Sequence, residues 1–214
     1  MQVSSFTVGP VAENSYVIRP TPDGKALVID PGDEAPILLE AIDEAGGEVE
    51  AILLTHTHFD HIGAVAEIAE ATGAPVYCPE VEAPILADPN TYMSFPGLPE
   101  LRGWNAEKTL SGGEKLSLAG TDIEVIFTPG HSIGHVTFSF PEHGAIFSGD
   151  VLFKGSVGRT DLPGGDWNVL LESIRKLVET HSEETLVYPG HMEQTTLGDE
   201  RRTNPFLSEL SGAP

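Results

Sequence analysis

Short apolar runs alternate along the chain with stretches whose apolar residues recur at helical spacing. The short runs are bounded by Gly, Pro and Asp, a pattern typical of β-strands. They predict strands at Phe6–Val8, Ser15–Arg19, Ala26–Asp30, Ala51–Leu54, Val76–Cys78, Lys115–Leu118, Thr121–Phe127, His135–Phe140, Ala145–Phe147 and Thr185–Tyr188. The helical spacing predicts helices at Pro36–Ala45, Ala64–Ala71, Val81–Ala87 and Trp167–Thr180. Because strands and helices alternate through most of the chain, we expect a layered α/β domain.

The segment from Asp88 to Gly113 departs from this alternation, because it is rich in Gly and Pro and shows no regular apolar spacing. A long irregular stretch inside a compact domain usually has a function or moves. We interpret residues 88–113 as a surface loop or lid, with anchoring of its aromatic residues to the domain as an equal alternative. Without repeats or linkers elsewhere, residues 1–214 are predicted to form a single domain.

The composition of the chain limits the classes of partner and the cell compartment that we expect. The chain has 11 Lys and Arg against 33 Asp and Glu, a net charge of −22. Such a charge repels phosphate backbones and anionic lipids, so we expect neither a nucleic-acid nor a membrane partner. The single cysteine, Cys78, is interpreted as a buried structural thiol. With no apolar segment of membrane-spanning length and no export signal, the expected location is the cytoplasm, and the oligomeric state is left open.

Histidines and aspartates follow the ends of four predicted strands. These are His56, His58, Asp60 and His61 after Ala51–Leu54, His131 after Thr121–Phe127, Asp150 after Ala145–Phe147, and His191 after Thr185–Tyr188. Neighbouring strand ends lie close together at one edge of a sheet, where α/β folds place their sites. Imidazole and carboxylate groups without thiolate suit zinc, iron or manganese. The pattern therefore predicts a metal site.

The spacing within the histidine-rich run indicates two ions rather than one. Side chains two residues apart in an extended segment project to the same side, so His56 and His58 are expected to share an ion. Asp60 and His61 lie a turn further on and are expected to face a second ion. Two ions about 3.5–4 Å apart share a hydroxide that is nucleophilic at neutral pH. We expect two divalent ions, zinc first, with iron or manganese as alternatives, and His135 as a candidate orienting partner.

The run His56-Thr57-His58-Phe59-Asp60-His61, together with the three later positions, resembles the metallo-β-lactamase superfamily over nearly the whole chain. The resemblance implies a four-layer αββα sandwich with the metals at one edge of its two central sheets. The ligands it implies for the first metal are His56, His58 and His131. Those it implies for the second metal are Asp60, His61 and His191, with Asp150 bridging the two.

Later motifs resemble the short bacterial type II glyoxalase branch, described as hydroxyacylglutathione hydrolase-like. They are Leu152–Asp161, the turn Pro189-Gly190-His191, and Arg201–Leu207. The branch implies hydrolysis of a thioester such as S-lactoylglutathione by a metal-bridging hydroxide, with Asp60 and Asp150 as catalytic ligands. The leaving thiolate has a conjugate acid with a pKa of about 8.5, so no separate general acid is needed. The β-lactamases commonly carry a cysteine ligand where this chain has Ser148-Gly149-Asp150, which argues against lactam hydrolysis.

Two departures from the long glyoxalases leave the physiological thiol and acyl group open. The long enzymes hold glutathione with a C-terminal helical domain, whereas this chain ends soon after Phe206. They also place an aromatic residue after the last ligand, where this chain has Met192-Glu193. A mononuclear iron persulfide dioxygenase is the alternative, because that branch shares the Gly158–Asp161 stretch, although it typically has Ala in place of Gly190. The third reading is a metal-binding module without turnover.

An anionic thioester approaching a negative protein needs local cations. Lys154 and Arg159 lie in the stretch after Asp150 and are predicted to bind the substrate. An equal alternative is that both side chains pair with surface acids, because exposed ion pairs are common and contribute little.

Overall fold

Two six-stranded sheets face each other in the computed structural model, which describes residues 1–92 and 100–207. The first sheet comprises, in spatial order, β1 (Gln2–Val8), β2 (Glu13–Arg19), β3 (Ala26–Ile29), β4 (Val49–Leu53), β5 (Val76–Pro79) and β6 (Lys108–Leu110). The second comprises β7 (Lys115–Leu118), β8 (Thr121–Phe127), β9 (Val136–Phe140), β10 (Ala145–Gly149), β13 (Leu186–Pro189) and β14 (Thr195–Thr196). A separate ribbon pairs β11 (Leu152–Phe153) with β12 (Ser156–Val157).

Both sheets are mixed. In the first sheet β3, β4, β5 and β6 run parallel, and β1 and β2 complete it as an antiparallel hairpin. In the second sheet β10 and β13 are parallel while the other neighbours are antiparallel. Parallel strands require crossover connections, which is why helices follow β3 and β4 and precede β13.

Helices cover the outer faces of the two sheets and connect the strands. They are α1 (Ala35–Glu44), α2 (Phe59–Ile62), α3 (Val65–Thr72), α4 (Ala83–Ala87), α5 (Pro89–Tyr92), α6 (Trp167–Thr180) and α7 (Leu197–Thr203). Short 3-10 turns occupy Glu80–Glu82, Pro141–His143 and Pro205–Leu207. No helix in the described ranges is long and apolar enough to cross a membrane.

Three apolar cores separate four layers of structure. Leu38 of α1 and Ile68 of α3 pack with Ile52 against the outer face of the first sheet. A second core lies between the sheets, and a third lies between the second sheet and α6. Strand β4 shows the arrangement most directly, because successive side chains of a strand point to opposite faces. Ile52 enters the outer core while Leu53 enters the core between the sheets, so the predicted αββα sandwich is confirmed.

The segment 88–113 is partly regular, which corrects the expectation of an irregular stretch. Helix α5 and strand β6 lie within it, and Trp104 packs against the outer core while its backbone N–H donates to the Leu86 carbonyl at 2.9 Å. Strand β6 was missed because its three residues carry a single buried apolar side chain, Leu110. Residues 93–99 lie outside the described residues, and the interpretation of the segment as a lid stays a prediction.

Two further differences have local causes. The predicted helix Val81–Ala87 is divided into a 3-10 turn and α4, with Pro84 in the first turn of the α-helix, where its missing N–H costs nothing. Helix α7 was not predicted, because Leu197 is its only large apolar residue and no stripe results. The Thr196 hydroxyl starts this helix by accepting a hydrogen bond from the Asp199 N–H at 3.1 Å.

Candidate metal centre

All seven predicted ligands come together where strands of both sheets end. The loop after β4 carries His56 and His58, and α2 carries Asp60 and His61. The segments after β8, β10 and β13 carry His131, Asp150 and His191, respectively. Their side chains approach one another within ion-pair or hydrogen-bond distance. The predicted clustering at one edge is therefore present in the structure, and the role of each residue as a ligand remains a prediction.

Three imidazole nitrogens converge in a first group. The His58 Nδ1 atom lies 3.1 Å from the Nε2 atom of His56 and 2.8 Å from the Nε2 atom of His131. Three nitrogens bound at 2.0–2.1 Å to one tetrahedral ion lie roughly 3.3 Å apart. The three histidines thus form a compact nitrogen set of the size that a divalent ion needs.

A second group mixes imidazole with carboxylate. The Asp60 Oδ2 atom lies 3.2 Å from His191 Nε2 and 3.8 Å from His61 Nε2. Asp150 faces both groups, because its Oδ2 atom lies 3.3 Å from His131 Nε2 while its Oδ1 atom lies 3.4 Å from His61 Nε2. One carboxylate therefore lies between the two nitrogen sets, as expected of a bridging ligand.

Two polar atoms at the centre of the cluster are buried and have no hydrogen-bond partner among residues 1–92 and 100–207. They are His61 Nε2 and Asp150 Oδ1, which face each other. Leaving such atoms unpaired in a protein interior is costly, and native structures rarely do so without a bound group. A divalent cation held by both atoms removes this cost. The orphaned atoms and the nitrogen and carboxylate donors therefore fit a metal centre.

In four of the five clustered histidines, an oxygen acceptor holds the outer ring nitrogen. The pairs are His56 Nδ1 with Thr55 Oγ1 at 3.0 Å, His61 Nδ1 with Asp30 Oδ2 at 3.0 Å, His131 Nδ1 with the Arg159 carbonyl at 2.8 Å, and His191 Nδ1 with the Ala12 carbonyl at 3.2 Å. Such partners fix the ring orientation and leave the inner nitrogen as the ligand atom.

Asp30 is a site residue that the sequence reasoning missed. Its Oδ1 atom accepts from the Thr55 N–H at 2.7 Å, and its Oδ2 atom accepts from the Thr55 hydroxyl at 2.6 Å as well as facing His61. The signal was available, since Asp30 directly follows the apolar strand β3 and precedes Pro31-Gly32, the same strand-then-ligand arrangement. Asp30 thus orients His61 and fixes the position of the loop after β4 through its hydrogen bonds with Thr55.

His135 contacts the backbone that carries Asp150. Its Nε2 atom accepts from the Asp150 N–H at 3.0 Å, and its Nδ1 atom lies 3.1 Å from the Thr128 hydroxyl. Burial holds the pKa of His135 well below the ordinary value, so the ring is neutral and accepts at Nε2. This contact agrees with the expectation that His135 orients a ligand.

Glu82 ties together the two loops that carry the first histidine group. Its Oε2 atom accepts from the Thr57 N–H at 2.7 Å and from the Thr57 hydroxyl at 3.0 Å. Its Oε1 atom accepts from the Gly134 N–H at 2.9 Å and from the Ser132 hydroxyl. The sequence carries no signal for this role, because Glu82 lies in a short turn among charged residues and acts across the fold.

At pH 7 most of the clustered side chains are in the protonation state that binds a cation. Burial lowers the pKa of His56 and lowers that of His58 to about 4, so both rings are neutral at pH 7 with free lone pairs. Burial alone would raise the pKa of Asp150, but His61 and His131 outweigh it and keep the carboxylate ionised. Burial lowers the pKa of His61, but the carboxylates of Asp150 and Asp60 raise it by a larger amount. The pKa of His61 is therefore above the ordinary value. A metal ion at His61 therefore displaces a proton.

A cleft of about 1520 Å³ opens beside the cluster, and both predicted substrate-binding cations line it. The Lys154 ammonium pairs with Glu193. The Arg159 guanidinium pairs with Asp161 through two hydrogen bonds, from Nε at 2.7 Å and from a terminal nitrogen at 2.8 Å. Substrate binding by these residues stays a prediction, and the pairing with neighbouring acids is the arrangement present in the structure.

Known proteins are similar in sequence to this chain over most of its length. Residues 8–191 match the sequence profile of the metallo-β-lactamase superfamily. The Bacillus subtilis protein named probable metallo-hydrolase YqgX is 41% identical over 99% of this chain and 100% of its own length. The Haemophilus influenzae hydroxyacylglutathione hydrolase GloC is 36% identical over 87% of this chain and 89% of its own length.

Solved structures are also similar to this chain, in both fold and sequence. The crystal structure of BLEG-1, named a B3 metallo-β-lactamase, has a TM-score of 0.91 and 38% identity, and the match covers 97% of this chain and 100% of that one. The crystal structure of TTHA1623 in a di-iron-bound form has a TM-score of 0.86 and 44% identity, and the match covers 96% of this chain and 100% of that one. On its profile match, its relatives and its fold, the chain belongs to the metallo-β-lactamase superfamily.

Proposed function

We propose that this protein is a metal-dependent hydrolase that cleaves a thioester of the hydroxyacyl-thiol type, with S-lactoylglutathione as the first compound to test. The observation that carries the proposal is the position of Asp150, whose carboxylate faces the nitrogens of both ligand groups. The 36% identity to a hydroxyacylglutathione hydrolase supports the choice of substrate class. The net charge of −22 supports a small molecule over nucleic acid as the partner.

Seven side chains are proposed to hold two divalent ions, zinc first, with iron or manganese as alternatives. The first set is His56, His58 and His131, the second is Asp60, His61 and His191, and Asp150 is shared. Bound there, the ions supply water activation at neutral pH and Lewis-acid polarisation of a carbonyl. The di-iron form of TTHA1623, at 44% identity, supports two ions and keeps iron among the candidates.

The chain's own groups then orient and stabilise the reaction. Asp60 reaches the cleft with its side chain 11% exposed, where its carboxylate accepts a hydrogen bond from the attacking water and so aims the oxygen at the carbonyl. Asp150 stays ionised and presents one carboxylate oxygen to each ligand group. A thiolate leaves without a proton donor at neutral pH, because its conjugate acid has a pKa of about 8.5.

The proposed setting is the cytoplasm, where free thiols stay reduced. Cys78, the single cysteine, is buried and unpaired, which suits a reducing compartment. The thioester product pair, an acid and a thiol, then enters the pool of reduced thiols without a redox step.

The test is thiol release from S-D-lactoylglutathione by the purified, metal-loaded protein, with Asp150→Asn as the variant and the exposed Asp23→Asn as its matched control. Release that Asp150→Asn abolishes and Asp23→Asn leaves intact supports the proposal. Hydrolysis of a chromogenic cephalosporin without thioester cleavage overturns it in favour of the lactamase activity named for BLEG-1. Oxygen uptake with glutathione persulfide and about one iron per chain overturns it in favour of the dioxygenase alternative.

A further inference from the structure

The mouth of the cleft beside the metal centre is apolar. Within the described residues, eleven large apolar side chains are exposed, and five of these line the cleft. These five, called the apolar rim below, are Val11, Val81, Tyr92, Ile133 and Met192, with exposures of 45–58%. Apolar surface concentrated at one concave place on a protein of net charge −22 marks a binding surface.

The apolar rim is assembled from five separate parts of the chain. Val11 lies in the turn between β1 and β2, Val81 in a 3-10 turn, Tyr92 on α5, Ile133 after β8, and Met192 after β13. Because the five apolar side chains come from five separate segments, their clustering cannot result from the exposed face of a single amphipathic helix or strand.

The apolar surface continues inward to the proposed ligands. The Phe153 ring lies 5.7 Å from the His191 ring at an interplanar angle of 80°, and Phe153 also lines the cleft. A hydrocarbon chain extending from a carbonyl near His191 therefore meets apolar side chains from the centre out to the mouth.

The charges in the cleft do not favour an anionic arm. Its described lining contains two cations, Lys154 and Arg159, and both are already paired with acidic neighbours. The lining also carries the carboxylate of Glu193, which pairs with Lys154, whereas the carboxylates of Asp60 and Asp150 are assigned to the proposed ions and that of Glu82 accepts buried hydrogen bonds. An incoming carboxylate has to displace an existing ion pair, whereas an uncharged chain displaces only water from apolar surface.

We infer that the cleft selects thioesters with an uncharged hydrocarbon arm over thioesters whose arms carry carboxylates. The inference rests on the proposed thioester hydrolysis and specifies its substrate class. The cleft of about 1520 Å³ exceeds the 300–1,000 Å³ typical of small-molecule pockets and is far larger than a lactoyl group requires. The arm belongs to the acyl group or to the thiol, and the experiment separates these two sources.

Two substrate series locate the arm. In one, the acyl group grows from acetyl to octanoyl on the uncharged carrier N-acetylcysteamine; in the other, the thiol of an acetyl thioester grows from ethanethiol to octanethiol. We expect kcat/KM, corrected for the rate of hydroxide-catalysed hydrolysis, to rise about two- to fourfold per added CH₂ in one series, fourfold being the value for full burial. Flat slopes in both series, or S-lactoylglutathione as the best substrate, overturn the inference.

Matched variants test whether the apolar rim causes the increase in kcat/KM per added CH₂. Ile133→Ser is compared with Ile37→Ser, since Ile37 is 45% exposed on α1 and does not line the cleft. Val11→Ser is compared with Val169→Ser in the same way, the latter residue being 39% exposed on α6. The rim variants are expected to reduce the increase per CH₂ to below about 1.5-fold, while the control variants keep it. Equal slopes in rim and control variants overturn the inference, as does sedimentation showing that Ile133→Ser dissociates a dimer buried at this surface.

A binding measurement separates this inference from the proposed function. The probes are two non-hydrolysable thioethers of N-acetylcysteamine, one with a hexyl arm and one with a carboxypentyl arm, titrated calorimetrically into metal-loaded protein. Tighter binding of the hexyl compound, by about tenfold and lost in Ile133→Ser, supports the apolar site even if no thioester is cleaved, in which case the proposed function alone fails. Thioester cleavage with equal binding of the two compounds overturns the inference and leaves the proposed function standing.

Discussion

Replacing Glu82 by glutamine tests whether the fold holds the first histidine group through a buried carboxylate. Glu82 is 1% exposed and accepts four hydrogen bonds, two on each oxygen. Each oxygen receives one bond from a backbone N–H and one from a hydroxyl. Thr57 supplies both partners on one side, and Ser132 and Gly134 supply those on the other.

The magnitude follows from the donor count. A glutamine presents one oxygen and one NH₂, so in either amide orientation the NH₂ faces a backbone N–H that has no accepting atom. The hydroxyl on that side rotates to accept, but the N–H is left buried and unpaired. Such a group costs about 1–3 kcal/mol in the free energy of unfolding. For a chain of this size each kcal/mol lowers Tm by about 2–4 °C.

The assay compares Glu82→Gln with Glu80→Gln by thermal unfolding of the metal-free protein and by chelator competition of the loaded protein. Glu80 lies in the same 3-10 turn, is exposed, and accepts one side-chain bond from Ser111 at 2.8 Å. We expect Glu82→Gln to lower Tm by at least about 2 °C and to weaken metal binding at the first histidine group about tenfold. Identical Tm and metal affinity in the two variants would refute the reasoning.

Three other predictions probe the surroundings of the ligands. Gly190→Ala is expected to reduce the metal bound per chain, measured by mass spectrometry, because the new Cβ lies 2.2 Å from Asp150 Oδ1 and 2.8 Å from His61 Cε1; undiminished metal content contradicts this. Asp30→Asn removes the carboxylate that faces His61 and is expected to lower metal affinity about 10- to 100-fold in a chelator titration, while unchanged affinity would count against an orienting role. Burial raises the pKa of Cys78, so at pH 8 iodoacetamide is expected to label this thiol only after unfolding; rapid labelling of the folded protein would show that the thiol is accessible.

The ligand positions were predictable because each follows an apolar strand, and strand ends of one sheet edge meet in space. Strands β8 and β10, for example, both pair antiparallel with β9 and therefore run in the same direction, so the residues that follow them emerge at the same edge. Asp30 follows β3 in the same way, so the same pattern of an apolar strand followed by a ligand-type side chain also indicates this residue.

The residues that escaped prediction act through contacts distant in sequence. Glu82 reaches Gly134 across 52 positions of the chain, and no local pattern encodes that contact. Strand β6 is three residues long and depends on pairing with β5 rather than on its own propensity. The pairing of Lys154 with Glu193, 39 positions away, is equally invisible to local sequence patterns, whereas Arg159 and Asp161 are near neighbours.

Metal titration of the metal-free protein, with thiol release and bound metal measured in each sample, tests the central claim most directly. Because Asp150 faces both ligand groups, thioester hydrolysis is predicted to depend on the second equivalent, reaching its maximum at about two metals per chain and staying near background in Asp150→Asn. Full activity at one metal per chain, or no thiol release at two, would contradict the account.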